Sequence, residues 1–400
     1  MSTTINTAVR SFTVPTASEA ELEDLRARIE ATRWPDREVV DDHSQGPQLK
    51  VLQTLAHYWA NEYDMRRVET RFKAHPNYVT EIDGVDIHFI HVRSRHENAL
   101  PVIITHGWPG SGVELLSVID PLVNPTAHGG TAADAFDVVI PSMPGYGYSG
   151  KPRETGWGPE RIARAWTELM KRLGYDRYVA QGGDWGAIVT DLMGVAAAPG
   201  LLGIHSNMPG IVPADVASKI NFVTTGPAPA GLSPEEVEAW DQLMLLYGPG
   251  SGYAVEMSTQ PQTLYGIADS PVGLAAWIMN HDYASYEDIA AGILGNPIGN
   301  LTPDEVLDNI THYWLTNTAV SSGRLYWENK SGFFDAKGVV VPAAVSVFPK
   351  ELYVTPRSWA EKAYSNLVYF NQVDRGGHFA AWQEPELFAA EVRAGFKLLR

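Results

Sequence analysis

Cysteine is absent from all 400 residues. That absence removes disulfides, thiolate metal ligands and cysteine nucleophiles, so any chemistry falls to oxygen and nitrogen groups. Positive charge is scarce: 30 Lys and Arg stand against 47 Asp and Glu, a formal net charge of -17. A surface of that sign repels phosphate backbones and anionic lipid, which excludes nucleic acid as a partner. Long hydrophobic runs are missing too, and without about 18 consecutive apolar residues no membrane span is expected. The opening residues MSTTINTAVRSF lack the apolar stretch of a signal peptide, so a soluble, cytoplasmic protein is the expectation. No His-rich spacing suggests zinc, and neither a metal nor a cofactor is expected.

What is present is an ordinary globular composition, 44% hydrophobic with 12 Trp, enough for a large buried core. Ser18 and Glu21 form a capping box ahead of Leu22, Leu25 and Ile29, predicting a helix that stops before Trp34-Pro35. A second helical stretch follows around Leu52 to Tyr63, with Trp59 as a packing residue. At Tyr78 the period changes to that of strands, with a hairpin turning at Asp83-Gly84 and running on to Val92. Short apolar runs at Pro101 to Thr105 and Phe136 to Pro141 predict buried parallel strands, and Pro159 to Gly174 a helix. Tyr178 to Gln181 and Gly203 to Met208 continue the strands, with a helix from Ala187 to Met193 between them. After a long stretch of helices and loops, the alternation returns at Val339 to Phe348, a helix from Pro356, Leu367 to Gln372 and a helix from Pro385. The expected organisation is an arm over 1–77, a core over 78–208, an inserted helical cap over 209–320 and the rest of the core over 321–400.

Gly182-Gly183-Asp184-Trp185-Gly186 falls on the turn from strand to helix. A sharp turn there, flanked by small residues, is the nucleophile elbow of the α/β-hydrolase fold, with Asp184 where serine is more usual. A serine attacks carbonyl carbon; a carboxylate is suited to displacing a leaving group from saturated carbon, giving an alkyl ester. Opening that ester with water needs a general base, and His378, in the loop Arg375-Gly376-Gly377-His378-Phe379 after the last strand, is the candidate. Glu351, in Phe348-Pro349-Lys350-Glu351, has the chain order required of the acid that orients the imidazole, with Asp374 as its competitor. Backbone donors for the developing oxyanion are expected at Trp185 and at Trp108, in His106-Gly107-Trp108-Pro109-Gly110.

From Phe12 to nearly the end, the chain resembles the microsomal-type epoxide hydrolases, including those acting on juvenile hormone and bacterial and fungal relatives. The matching stretches are Thr32-Arg33-Trp34-Pro35, Thr80-Glu81-Ile82-Asp83-Gly84, His106-Gly107-Trp108-Pro109-Gly110, Pro144-Gly145-Tyr146-Gly147, Gly182-Gly183-Asp184, Asp269-Ser270-Pro271-Val272-Gly273-Leu274 and Gly376-Gly377-His378-Phe379. The resemblance implies an α/β-hydrolase fold, with a mostly parallel sheet flanked by helices, a cap inserted after the sixth strand and an N-terminal arm. It also implies two cap tyrosines that protonate the epoxide oxygen, matched here by Tyr253 and Tyr326. A phenol suits that role because an alkoxide is a poor leaving group unless protonated. The partner implied is a small epoxide, apolar or aromatic if Trp108, Trp185 and Tyr146 line the pocket. The arm is expected to wrap the core or to cross to a second copy in a homodimer.

An Asp in a glycine-rich turn is ordinarily a turn former or helix cap. Its place at a strand-helix junction, with His378 and Trp108 following the hydrolase order, is what raises Asp184 above that reading. His106 reads as a shaper of the oxyanion loop, His88 and His91 as packing or surface residues, and Tyr247, Tyr265, Tyr283 and Tyr313 as packing. A haloalkane dehalogenase would share the aspartate and histidine, the indoles cradling halide, but would have no use for the two phenols. A ligand-binding protein without turnover is the reading from a different class, and the intact set of reactive groups argues against it.

Overall fold

Asp83 and Gly84 both adopt positive φ, 50° and 80°, which a two-residue hairpin turn of this kind requires. The computed structural model describes residues 8–220 and 226–400. Residues 1–7, expected to carry no signal sequence, and 221–225 of the expected cap lie outside the described residues.

Among the described residues the strands are β1 (Arg10–Ser11), β2 (Asn77–Ile82), β3 (Val85–Val92), β4 (Leu100–Thr105), β5 (Phe136–Pro141), β6 (Tyr178–Gly182), β7 (Leu201–Ser206), β8 (Ala343–Val347) and β9 (Leu367–Gln372). They form one sheet in the order β1-β2-β3-β5-β4-β6-β7-β8-β9. The first four neighbours pair antiparallel and the remainder parallel. β8 is buried along its whole length, as a parallel strand covered on both faces must be.

Three details differ from the sequence reading. β1 is only two residues long, too short to show alternation, and it pairs Arg10 with Val79; counting it, the cap follows the seventh strand. The strand expected over Val339 to Phe348 shortens to Ala343–Val347, because Pro342 precedes it and cannot donate to a ladder. The last cap helix, Ala319–Glu328, runs across the expected boundary at 320. The chain breaks instead at Asn317, which is left-handed at φ 51°, and returns to the sheet only at Ala343.

The arm does more than extend the sheet edge. Its helix Arg67–Lys73 lies against the cap helix Pro303–Thr316, where Arg71 binds Glu305 at 2.7 Å and Asp308 at 2.6 Å, and Arg67 binds Glu305 at 2.8 Å and also Asp308. Tyr63 donates to Asp308 at 2.6 Å and Trp382 of the core donates to Glu305 at 3.1 Å. Arm, cap and core thus meet at one buried ionic cluster. No helix among the described residues is long and apolar enough to cross a membrane.

Candidate active site

Asp184 links β6 to the helix Trp185–Val195 with φ 52° and ψ -128°. A non-glycine residue held there costs about 1–3 kcal/mol and persists only where the surroundings over-determine it. They do: a Cβ on Gly182 would lie 2.0 Å from the Gly186 carbonyl oxygen, and one on Gly186 would lie 2.0 Å from that of Thr105. Parallel pairing sets Thr105 opposite Gly182, so the loop after β4 abuts the elbow. The Trp108 N–H then donates to Asp184 Oδ1 at 2.7 Å. Trp185 opens the helix, and first-turn N–H groups have no acceptor within their own helix.

The loops after β8 and β9 are joined by a parallel bridge between Lys350 and Gly377, which sets the next residues, Glu351 and His378, side by side. Glu351 Oε1 lies 2.5 Å from His378 Nδ1 and also accepts the Leu352 N–H at 2.8 Å. The other ring nitrogen, Nε2, is 3.8 Å from Asp184 Oδ2, and all three side chains are buried. Burial alone would pull the imidazole down, but Glu351, Asp184 and Asp282 outweigh it and push His378 up to about 10. Asp374, the competing acid, is exposed and bound to Arg375 at 3.1 Å.

Above Asp184 is a cavity of about 300 Å³ whose wall includes Trp185, Tyr247, Tyr253, Tyr326 and Phe333. Tyr253 stacks on Trp108 at 5.0 Å, and Tyr326 meets Trp108 and Trp185 edge-on at 5.7 and 4.8 Å. Burial first, and then the Asp184 charge, raise Tyr253 well above the usual phenol range. Burial, then Tyr253 and Asp184, do the same for Tyr326. Both phenols therefore keep their protons. Tyr146 is not in this wall: it is fully buried behind the loop after β4, 5.1 Å from the His106 ring. A tyrosine between two glycines is displayed or swallowed according to what covers the loop, and the sequence alone carries no sign of which.

Three residues of the candidate site, His281, Asp282 and Glu114, escaped the sequence reading. His281 stacks on His378 at 4.5 Å, with its Nδ1 2.9 Å from Asp282 Oδ2 and its Nε2 buried without a partner. Asp282 caps the helix that follows, accepting the Ser285 N–H at 2.8 Å, but the placement of its neighbour depends on how the cap folds over the core. Asp184, His281 and His378 bring ligand-type atoms within 4.8 Å of one another, a grouping able to hold a metal ion. Glu114, from the turn after the Trp108 loop, lines a small cavity together with Asp184 and His378. A wider groove of about 840 Å³ runs past Trp157, Tyr265, Arg324 and Trp327, but it touches none of Asp184, His378, Tyr253 or Tyr326, so size does not make it the site.

This sheet order, with an elbow aspartate beneath a helical cap, defines an α/β-hydrolase. Residues 101–190 match the alpha/beta hydrolase fold profile, and residues 9–115 match the profile described as epoxide hydrolase N terminus. A putative epoxide hydrolase of Stigmatella aurantiaca is 50% identical over 383 residues, covering 96% of this chain and 83% of the relative. Epoxide hydrolase 1 of Sus scrofa is 33% identical, over 98% of this chain and 89% of the relative. Among solved structures, the juvenile hormone epoxide hydrolase of the silkworm Bombyx mori superposes with a TM-score of 0.84 at 29% identity, covering 99% of this chain and 96% of that one. The Aspergillus niger epoxide hydrolase gives 0.80 at 29% identity, covering 99% and 98%. The chain belongs to the epoxide hydrolase family.

Proposed function

We propose that the protein converts an epoxide and water to a vicinal diol through a covalent ester on Asp184. The observation that carries this reading is the carboxylate of Asp184 held between a backbone donor at 2.7 Å and the His378 imidazole at 3.8 Å, at the floor of an aromatic cavity. Oδ1 is occupied by the Trp108 N–H, so Oδ2 attacks the epoxide carbon. The C–O bond of the ring breaks as the ester bond forms, and the alkoxide takes a proton from Tyr253 or Tyr326.

Esterification removes the Asp184 share of the charge that holds the His378 proton, of which Glu351 supplies the larger part, and the phenolate recovers that proton. Neutral His378, kept in its tautomer by Glu351, then takes a proton from water as the water oxygen bonds to Asp184 Cγ. The Trp108 and Trp185 N–H groups hold the tetrahedral oxyanion, which collapses as the second proton of the water passes to the departing alkoxide, releasing the diol and restoring the Asp184–His378 ion pair. The proton balance closes: one leaves His378 for the phenol, and one returns from water.

Aromatic walls suit an apolar or aromatic epoxide such as styrene oxide. Purified protein incubated with styrene oxide is expected to release diol, and His378→Gln is expected to gain the mass of one substrate as a stable adduct. Halide release from chloroalkanes without diol from any epoxide would overturn this reading in favour of a dehalogenase. Binding of epoxides with neither product nor adduct would favour a protein without turnover.

A further inference from the structure

A second, much smaller cavity of about 30 Å³ adjoins Asp184, and Glu114, Gln181, Asn207 and His378 contribute to its wall. Asp184 is the residue its lining shares with the larger cavity. The division is chemical as well as spatial. Tyr253 and Tyr326, the acids, line the larger space, whereas His378, the base, lines the smaller one. A volume of this size admits a water molecule, given polar partners to bind it, and leaves no room for a substituted epoxide.

Glu114 is the charged-type residue in that wall that the ester mechanism leaves unused. Its Oε1 accepts the Gly107 N–H at 3.3 Å. Its Oε2 lies against Gly110, where an added Cβ would come within 2.0 Å of it. The carboxyl group is therefore held in place by the same loop that supplies the Trp108 donor. We propose that Glu114 positions the hydrolytic water in this small cavity, so that water reaches Asp184 Cγ from a chamber separate from the one that holds the epoxide.

In that arrangement the water donates one O–H to His378 Nε2 and the other to the Glu114 carbonyl oxygen, which leaves its lone pair facing the ester carbon. Burial, reinforced by Asp184 and opposed by the Gly107 N–H and His378, pushes Glu114 up to about 8. Neutral near pH 7, it offers a donor and an acceptor and adds no negative charge beside the ester. Glu114 is a positioning residue here, acting on the water that His378 activates.

The inference rests on the ester proposed for Asp184, and the test separates the two. Rapid-quench mass spectrometry with styrene oxide follows formation and decay of the adduct in the wild type, Glu114→Gln, Glu114→Leu and His378→Gln. Adduct formation is expected to survive in Glu114→Leu while its decay slows on the order of 10- to 100-fold, as for a misplaced reactant, and Glu114→Gln, of the same shape, is expected to restore most of the decay. Equal slowing of both steps in Glu114→Leu, or no slowing of decay, overturns the role of Glu114. No adduct even in His378→Gln overturns the ester itself. Should Glu114→Leu not fold, the pH profile decides: decay in the wild type is expected to fall on the alkaline side as Glu114, held above its ordinary value by burial, ionises beside the ester. A limb that persists unchanged in Glu114→Gln overturns the inference.

Discussion

The imidazole of His281 lies on that of His378, ring centroids 4.5 Å apart and 28° from parallel. Each ring has a carboxylate on its Nδ1, Asp282 for one and Glu351 for the other. The cap therefore places a further acid, and a further polar ring, against the face of the core histidine.

This crowding of carboxylates predicts that His378 is an imidazolium in the resting protein. Burial opposes the charge, but Glu351, Asp184 and Asp282 raise the group to about 10, so NMR titration should find it protonated at pH 7. Asp184→Asn and Glu351→Gln should each lower its titration point. Because the folded value lies above the unfolded one, near 6.5, the stabilisation is complete below that pH and is lost as pH rises through about 10. Thermal unfolding should show Tm falling over that interval, and a flat profile there would count against the ion pair.

Removing the phenols tests the first half of the proposed reaction. Tyr253→Phe and Tyr326→Phe should each slow adduct formation, and the double variant should slow it more, within the roughly 10²- to 10⁴-fold that a positioned acid supplies. Decay of adduct already formed should change little. Stopped-flow tryptophan fluorescence is suited to this, since Trp108 contacts both rings and Trp185 contacts that of Tyr326.

Glu351→Gln should act on the second half. The amide no longer carries the charge that favours the correct tautomer and the imidazolium, so adduct should accumulate under steady turnover. Diol formation slowed without accumulation would place Glu351 outside the hydrolytic step.

The ionic cluster between arm and cap gives a stability prediction. Arg71→Ala leaves Glu305 and Asp308, both buried, one partner short, and should destabilise by about 3 kcal/mol. For Glu305, burial works against the charged form, but Arg71 and Arg67 outweigh it and hold its carboxyl below the usual range. Its contribution is therefore present above the unfolded value of about 4.3 and is lost as pH falls through the lower, folded one. Chemical denaturation at pH 7 and at pH 3 should show the cost of Arg71→Ala shrinking in acid.

What the sequence could reveal followed from local patterns. Ser18 and Glu21 form the capping box their spacing implies, and the Asp83-Gly84 turn gives the hairpin register. Asp184, Glu351 and His378 stood out as candidates because each follows a strand by a short loop, and parallel strands deliver such loops to one edge of the sheet. Tyr253 and Tyr326 lie on helices with no periodic signal for an inward role and came only from resemblance. His281, Glu114 and the burial of Tyr146 depend on how separate segments close over one another, and no window of sequence contains that information. The pairing of β1 was hidden because two residues show no period.

The arm's grip on the helix Pro303–Thr316 bears on how a guest gets in. A cap fixed through the chain at β7 and β8, and clamped from the side by Arg67 and Arg71, has little freedom to swing as a whole. Admission then falls to movement of the side chains that wall the cavity, Tyr247, Phe333 and Phe334 among them. Trimming one of these should broaden what is accepted while the clamp between arm and cap stays intact.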